Sequence, residues 1–284
     1  MIGQQNFQMG AVVSVMLLVP AVFAFLVDRA VRRRQVALLS ARAVPYAPRR
    51  QRAFDLAMLA YCVVVGAAIL TIVAISQFAA VVKFFPYNLA LTWAHYDFDQ
   101  KGGGGWASYY NSIRLALLTC VVGTAMVFAG AYLTEKARGF AFGRGLYHFL
   151  AMLPMAVPGL VLGLAYIFFF NAKWNPFGFI YATMIILVVN SVTHFYTVSH
   201  LTAATALKQL DSEFEAVSAS LKVSLLRTMW RVTVPVCLPA ILDISIYLFV
   251  NAMTTISAVI FLYSTNTKLA SVTIINMDES GFTA

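Results

Sequence analysis

Charged side chains are scarce in this sequence. Only 11% of its 284 residues are charged, whereas 61% are hydrophobic, and the mean hydropathy is +0.80. Soluble globular domains carry about 25% charged residues, so the composition excludes an ordinary soluble domain. The sequence therefore predicts a polytopic, all-α membrane protein.

Motifs for nucleotides, disulfides and metals are also missing. No GxxxxGK[ST] stretch occurs, so the chain has no phosphate-binding loop of its own. The cysteines Cys62, Cys120 and Cys237 lack paired spacing, which indicates neither a disulfide framework nor a metal site. We therefore predict no catalytic residue, metal or cofactor in this chain, and any energy must come from a partner.

Long apolar runs are abundant instead. Six stretches are long enough to cross a hydrocarbon core of about 30 Å. They lie at about 10–27, 54–81, 112–134, 146–170, 179–204 and 238–263.

Positive charge is concentrated between alternate apolar stretches. Segments 28–53, 135–145 and 206–237 hold eight, three and four Lys or Arg residues, against five in the rest of the chain. By the positive-inside rule these three segments are cytosolic. The net charge of +9 therefore indicates membrane orientation, and we predict no nucleic-acid partner.

The polar segment 206–239 is too amphipathic to cross a bilayer. Its apolar residues recur at steps of three and four, at Leu207, Leu210, Phe214, Val217 and Leu221, which predicts one shared helical face. Ser212 and Glu215 have capping-box spacing and predict a new helix near Glu213, while Pro235 and Pro239 end the segment. Such a helix suits the transfer of force from a soluble partner, with a passive interfacial helix as the alternative.

Residues of this segment carry a family resemblance. Glu215-Ala216-Val217, with Pro235 and Pro239 downstream, resembles the EAA loop of permease subunits of type I, binding-protein-dependent ABC importers. In that family the loop forms the coupling helix, which sits in a groove of the ATP-hydrolysing subunit. The usual glycine six residues after the glutamate is Leu221 here. The resemblance assigns ATPase coupling to Ser212, Glu213, Phe214, Glu215, Ala216, Val217, Leu221, Pro235 and Pro239.

The resemblance covers nearly the whole chain and is nearest to the fused iron(III)-type branch, within it to permeases assigned to 2-aminoethylphosphonate. It implies a domain plan. Residues 1–27 are expected to be the last helix of a preceding permease half, and 28–53 a basic cytosolic linker. Residues 54–284 would be a second half with five spans and the coupling loop 206–239, with its final span missing.

Polar residues within the spans are candidates for a translocation path. They share helical faces with spacings of three and four, and two prolines bend the fourth span beside Gly159 and Gly163. Interhelical hydrogen bonding without any substrate is the alternative role for the polar groups. The candidates are Pro154, Pro158, Asn190, Thr193, His194, Thr197, Asn251, Thr254 and Thr255.

The resemblance implies a multi-pass permease of the bacterial inner membrane and not an enzyme. Expected partners are two copies of an ATPase subunit holding ATP and Mg, a periplasmic solute-binding protein, the other permease half in the same full-length chain, and membrane lipid. The aromatic outer segment 83–111 suits an interfacial belt or contact with the binding protein. The substrate would be 2-aminoethylphosphonate, iron(III), thiamine or a polyamine.

An ion- or proton-coupled secondary transporter is the alternative function. Such a transporter is expected to carry buried acids along several spans. Here Asp243 is the only acid within the last span, and it lies near the cytosolic edge.

Overall fold

The computed structural model describes residues 51–96, 105–137, 139, 141–211 and 213–279. Residues 1–27, expected to be the last helix of a preceding half, lie outside the described residues. So does nearly all of the expected linker 28–53.

Helices make up most of the described chain, as the composition predicts. They are α1 (Arg52–Ala80), α2 (Gly105–Lys136), α3 (Ala141–Ala156), α4 (Gly159–Phe170), α5 (Met184–His194), α6 (Tyr196–Gln209), α7 (Glu213–Ser220), α8 (Leu225–Thr228), α9 (Val234–Val236), α10 (Leu238–Thr254) and α11 (Ala270–Glu279). A π-helical turn, Met229–Thr233, joins α8 to α9. Strands β1 (Val82–Phe84) and β2 (Asn88–Leu91) form an antiparallel hairpin after α1.

The chain divides into two compact units. Within the described residues, one unit holds 51–96, 105–106 and 274–279, and the other holds 107–273. In the first unit, α1 is apolar along most of its length and has no buried residue. A helix that is hydrophobic all round needs an apolar environment, so this one is suited to lipid.

The second unit is built from bent helix pairs. α3 and α4 meet at 113°, α5 and α6 at 55°, and Leu225–Val236 meets α10 at 79°. α1 and α2 are each long and apolar enough to cross a membrane, and the described residues give up to five spans if each bent pair counts as one.

Two of the predicted spans differ from the helices of the structure. Residues 146–170, predicted as one bent span, separate into α3 and α4 because Pro158 has no amide to donate and takes an extended backbone conformation (φ −55°, ψ 141°). The span predicted for 238–263 is helical only to Thr254, since Thr255 is extended (ψ 136°).

The core of the second unit consists of two buried clusters. One joins α2, α5 and the segment 258–272, and includes Leu115, Leu187 and Leu262. The other joins α2, α6 and α10 with the segment 229–237, and includes Tyr132 and Leu207. α2 contributes to both clusters and is therefore the helix around which this unit packs.

Candidate functional site

The predicted coupling segment starts a short helix after a sharp break. α6 ends at Gln209, and Leu210 is extended (φ −71°, ψ 133°). α7 then begins at Glu213, the position that the sequence predicts. The Asp211 carboxylate accepts a hydrogen bond from the Glu213 amide at 3.0 Å, as N-terminal capping side chains do. Ser212, the predicted cap, lies outside the described residues.

The break divides the apolar face predicted for this segment. Leu207 is fully buried in the core and Leu210 is half-buried. Phe214, Val217 and Leu221 are exposed. The prediction of one continuous face is wrong because the helix stops at Gln209, so only the second part of the pattern belongs to α7.

The exposed apolar residues of α7, and Leu221 directly after it, border an open cleft. Its volume is about 810 Å³, and Phe214, Val217 and Leu221 line one part of it. Arg227 and Arg231, from the returning chain, line another part. Exposed apolar surface with a charged rim is typical of a protein docking site. Two acidic residues, Asp211 and Glu213, also line the cleft, so its rim carries charges of both signs. This surface is therefore suited to a partner whose apolar side chains are flanked by charges of both signs.

Glu215 does not point into this cleft and instead holds α7 to α2. Its carboxylate lies 2.8 Å from the Lys136 ammonium at the end of α2, and the two side chains are only 16% and 9% exposed. Lys136 also donates a hydrogen bond to the Leu210 carbonyl at 3.5 Å. The ion pair thus joins α7, the chain before it and α2. Sequence reasoning did not identify Lys136 as a partner of Glu215, although a cation in the last turn of a membrane helix could have indicated an ion pair with an acidic residue of a nearby loop.

Two further contacts hold the returning chain in place. The hydroxyls of Ser218 on α7 and Thr228 on α8 are hydrogen-bonded. Tyr132, buried on α2, donates its hydroxyl to the Leu225 carbonyl at 3.1 Å. α7 and α8 are therefore both attached to α2, and a displacement of α7 would be transmitted to that helix.

A Schellman motif ends α7. The Val223 amide donates to the Ser218 carbonyl at 3.0 Å and the Lys222 amide to the Ala219 carbonyl at 3.1 Å, which is the hydrogen-bond pattern of that motif. Lys222 has a positive φ of 54°. The left-handed position therefore falls one residue after Leu221, where the resemblance places the family's glycine.

Lys222→Gly should stabilise the end of α7. A non-glycine residue in the left-handed region costs about 1–2 kcal/mol, and glycine removes most of that cost. Leu221→Gly is the control, because φ is not positive there and glycine only adds chain entropy. Hydrogen exchange of the α7 amides should slow in Lys222→Gly and speed up in Leu221→Gly. Equal effects would contradict the assignment of the left-handed position.

The remaining coupling candidates surround this helix. Glu213 and Ala216 are exposed on α7. Pro239 lies in the first turn of α10, where a missing amide costs nothing, whereas Pro235 follows the π-helical turn 229–233 within the continuous helical run Leu225–Val236.

Among the path candidates, Thr197 joins α6 to α3. Its hydroxyl donates to the Ala151 carbonyl at 2.8 Å and accepts from the Met155 amide at 3.2 Å. These backbone groups are four residues apart in α3, so the hydroxyl bridges one step of the helical ladder. Side chains inserted in this way are a recognised cause of helix bending.

Other polar candidates bond to backbone or to other side chains. The Asn190 amide donates to the Ala258 carbonyl at 2.6 Å, and the hydroxyls of Thr193 and Tyr166 are 2.9 Å apart. Asn251 and Thr254 bond to carbonyls within α10. The main chain of Thr255 accepts a hydrogen bond from Ser271. The bonds of Asn190 and Thr193 to other segments are consistent with the interhelical alternative, whereas those of Asn251 and Thr254 stay within one helix. The role of all these residues in a path stays a prediction.

Three helix ends converge at Gly159. A Cβ at this position would lie 2.5 Å from Ser257 Oγ, 3.1 Å from His194 Cε1 and 3.2 Å from the Ala258 amide nitrogen. Gly159 begins α4, His194 ends α5, and the other two residues follow α10. At this point the backbones can approach only because residue 159 has no side chain.

A cleft opens beside this convergence. Its volume is about 480 Å³, and it brings together Pro154, Pro158, His194 and Thr197 from the candidate set. Thr193 lines a separate cleft of about 340 Å³. Among the described residues no cluster of three or more His, Cys, Asp or Glu side chains could hold a metal ion.

Comparison of the sequence with known proteins gives a match to a family and a match to an individual relative. Residues 123–283, more than half of the chain, match the family described as the binding-protein-dependent transport system inner membrane component. The ferric transport system permease protein FbpB of Actinobacillus pleuropneumoniae is 35% identical over 178 residues, which are 63% of this chain and 25% of that protein. The matched part thus spans about a quarter of the length of this relative.

A solved structure shares the fold. The crystal structure of a bacterial ABC transporter involved in the import of the acidic polysaccharide alginate aligns with a TM-score of 0.53. The alignment covers 81% of this chain and 82% of the matched chain at 16% identity. At this identity the match concerns the fold alone.

Proposed function

The chain belongs to the family of binding-protein-dependent transport system inner membrane components, which are transport subunits and not enzymes, and we propose that α7 couples it to a separate ATPase subunit. The observation that carries this proposal is that the coupling segment has an exposed apolar side and a side that is attached to α2. Phe214, Val217 and Leu221 face outward, while Glu215 holds the helix to α2.

The proposed mechanism is mechanical. Two ATPase copies bind ATP and Mg, close together, and carry the coupling helices with them. The Glu215–Lys136 pair and the Ser218–Thr228 hydroxyl contact pass the displacement to α2 and to the bent helix pairs. The membrane part then changes between inward-facing and outward-facing states, a two-state equilibrium biased by nucleotide and ligand.

The proposed solute is iron(III), delivered by a periplasmic solute-binding protein. The name of the FbpB relative supports iron(III) over the 2-aminoethylphosphonate, thiamine and polyamine alternatives. The other permease half in the same full-length chain would complete the pathway.

Val217→Glu in the complete transporter tests the coupling proposal. A carboxylate at this apolar contact should abolish ATPase association, because it must be desolvated and pairing with Arg227 or Arg231 of the same cleft offsets only part of that cost. ATP-driven uptake of radiolabelled iron(III), and of 2-aminoethylphosphonate if that is the solute, should be lost with it. Co-purification of the ATPase and the uptake rate are the two measurements.

Ala219→Glu is the matched control. Ala219 is exposed on the same helix but does not line the cleft, so association and uptake should persist. If Val217→Glu also retains both activities, α7 is a passive interfacial helix and the coupling proposal fails.

A further inference from the structure

The hairpin that follows α1 exposes apolar side chains on both of its faces. Val82 is its buried residue, and large apolar or aromatic side chains are exposed along the rest of the turn and strands. These are Phe84, Phe85, Tyr87, Leu89, Leu91 and Trp93. Residues 82–93 carry a single charge, on Lys83. Such a hairpin in water would be an aggregation site, so an apolar environment must cover it.

Hydrogen bonds fix the hairpin to the end of α1. The Val81 amide donates to the Phe78 carbonyl at 3.1 Å, and the Thr92 amide donates to the Val81 carbonyl at 2.8 Å. A ring nitrogen of His95 lies 2.9 Å from the Val82 carbonyl oxygen. The hairpin therefore begins directly at the helix end and is closed at its base, so it is not a free loop.

The length of α1 sets the depth of this end. The apolar part of α1, residues 56–80, measures about 37 Å at 1.5 Å per residue. It would cross a hydrocarbon core of about 30 Å and reach a headgroup layer of about 5–8 Å. An untilted α1 therefore places the hairpin in the headgroup layer.

We propose that the hairpin 82–93 lies in the lipid headgroup layer at the Ala80 end of α1 and anchors that helix. Tryptophan and tyrosine prefer this layer, where the ring meets apolar chains and its polar edge meets water. The rings of Trp93 and Tyr96 pack together, with centroids 5.5 Å apart. A transient protein partner would leave six large apolar side chains in water whenever it departed, whereas lipid covers them permanently.

Fluorescence of Trp93 tests the anchor in the full-length transporter in lipid nanodiscs, with every other tryptophan replaced by phenylalanine. Phosphatidylcholine with a nitroxide on the headgroup should remove about half of the Trp93 emission, as expected for a residue of the interfacial belt. The same lipid labelled deep in the acyl chain should remove much less, and aqueous iodide should have little effect. The readout requires no transport, so its result is independent of the coupling proposal.

Leu91→Ser and Leu70→Ser form a matched pair. Leu91 in the hairpin and Leu70 in α1 are 75% and 69% exposed, but only Leu91→Ser should weaken headgroup quenching of Trp93. Strong iodide quenching without lipid quenching would place the hairpin in water and overturn the proposal. Preferential quenching by the deep label would do the same. Shielding from iodide only after the solute-binding protein is added would assign the surface to that protein.

Discussion

Glu215→Gln should reduce solute uptake and substrate-stimulated ATPase activity together, while the protein still inserts and assembles. The exchange leaves Lys136 without its counter-charge at a position that is only 9% exposed. Breaking a buried ion pair by removing one partner costs about 3–5 kcal/mol, and the partial exposure of Glu215 places the effect at the lower end. A free-energy change of that size should weaken the attachment of α7 to α2.

Glu135→Gln provides the control for this experiment. It makes the same chemical change in a neighbouring pair, where Lys208 lies 3.5 Å away and is 57% exposed. Surface pairs contribute about 0–1 kcal/mol, so activity should stay near wild type. Lys136→Glu combined with Glu215→Lys should restore part of the loss. If Glu215→Gln and Glu135→Gln behave alike, the ion pair does not link α7 to the membrane helices.

Gly159→Ala should disrupt the convergence of α4, α5 and the chain after α10. The new methyl group would stand 2.5 Å from Ser257 Oγ, a distance that packed atoms do not tolerate, and 3.2 Å from a backbone nitrogen, which would have to shift slightly. Overpacking of this kind costs about 1–3 kcal/mol. We expect a lower melting temperature of the purified transporter and a loss of uptake.

Gly145→Ala is the control for Gly159→Ala, because the space beside Gly145 is open. Nothing lies within 4 Å of a Cβ at that position in α3, and alanine favours a helix over glycine by about 1 kcal/mol. Stability should therefore be unchanged or higher. Adding Ser257→Gly to Gly159→Ala should recover part of the loss by removing the nearest atom, a non-additive effect expected for residues in contact. Equal melting temperatures for Gly159→Ala and Gly145→Ala would refute the convergence.

Sequence reasoning succeeded where the signal is local. Hydropathy predicts the membrane helices, the prolines Pro154 and Pro158 predict a bend in the fourth span, and the polar segment predicts a helix start near Glu213. The same reasoning could not predict the bend at Phe195, because the sequence around that residue contains neither proline nor glycine. It also could not pair Lys136 with Glu215, since residues far apart in the chain meet only through the packing of α2.

The spacing of polar residues in the spans shows a second limit of prediction from sequence. Residues at steps of three and four identify a shared helical face but not what that face contacts. In the structure Asn190 bonds to the backbone of a neighbouring segment, His194 lines a cleft, and Thr197 does both. Pattern alone cannot distinguish these cases, because both require polar groups away from lipid.

The Thr197 hydroxyl has a consequence for how the membrane part can move. α3 completes its ladder with a group that belongs to α6. If the two helices separated, the Met155 amide and the Ala151 carbonyl would be in a medium without water, and they could be satisfied only by bonding directly to each other, which requires α3 to straighten. The bend of α3 and its contact with α6 are therefore coupled, so that neither can change alone.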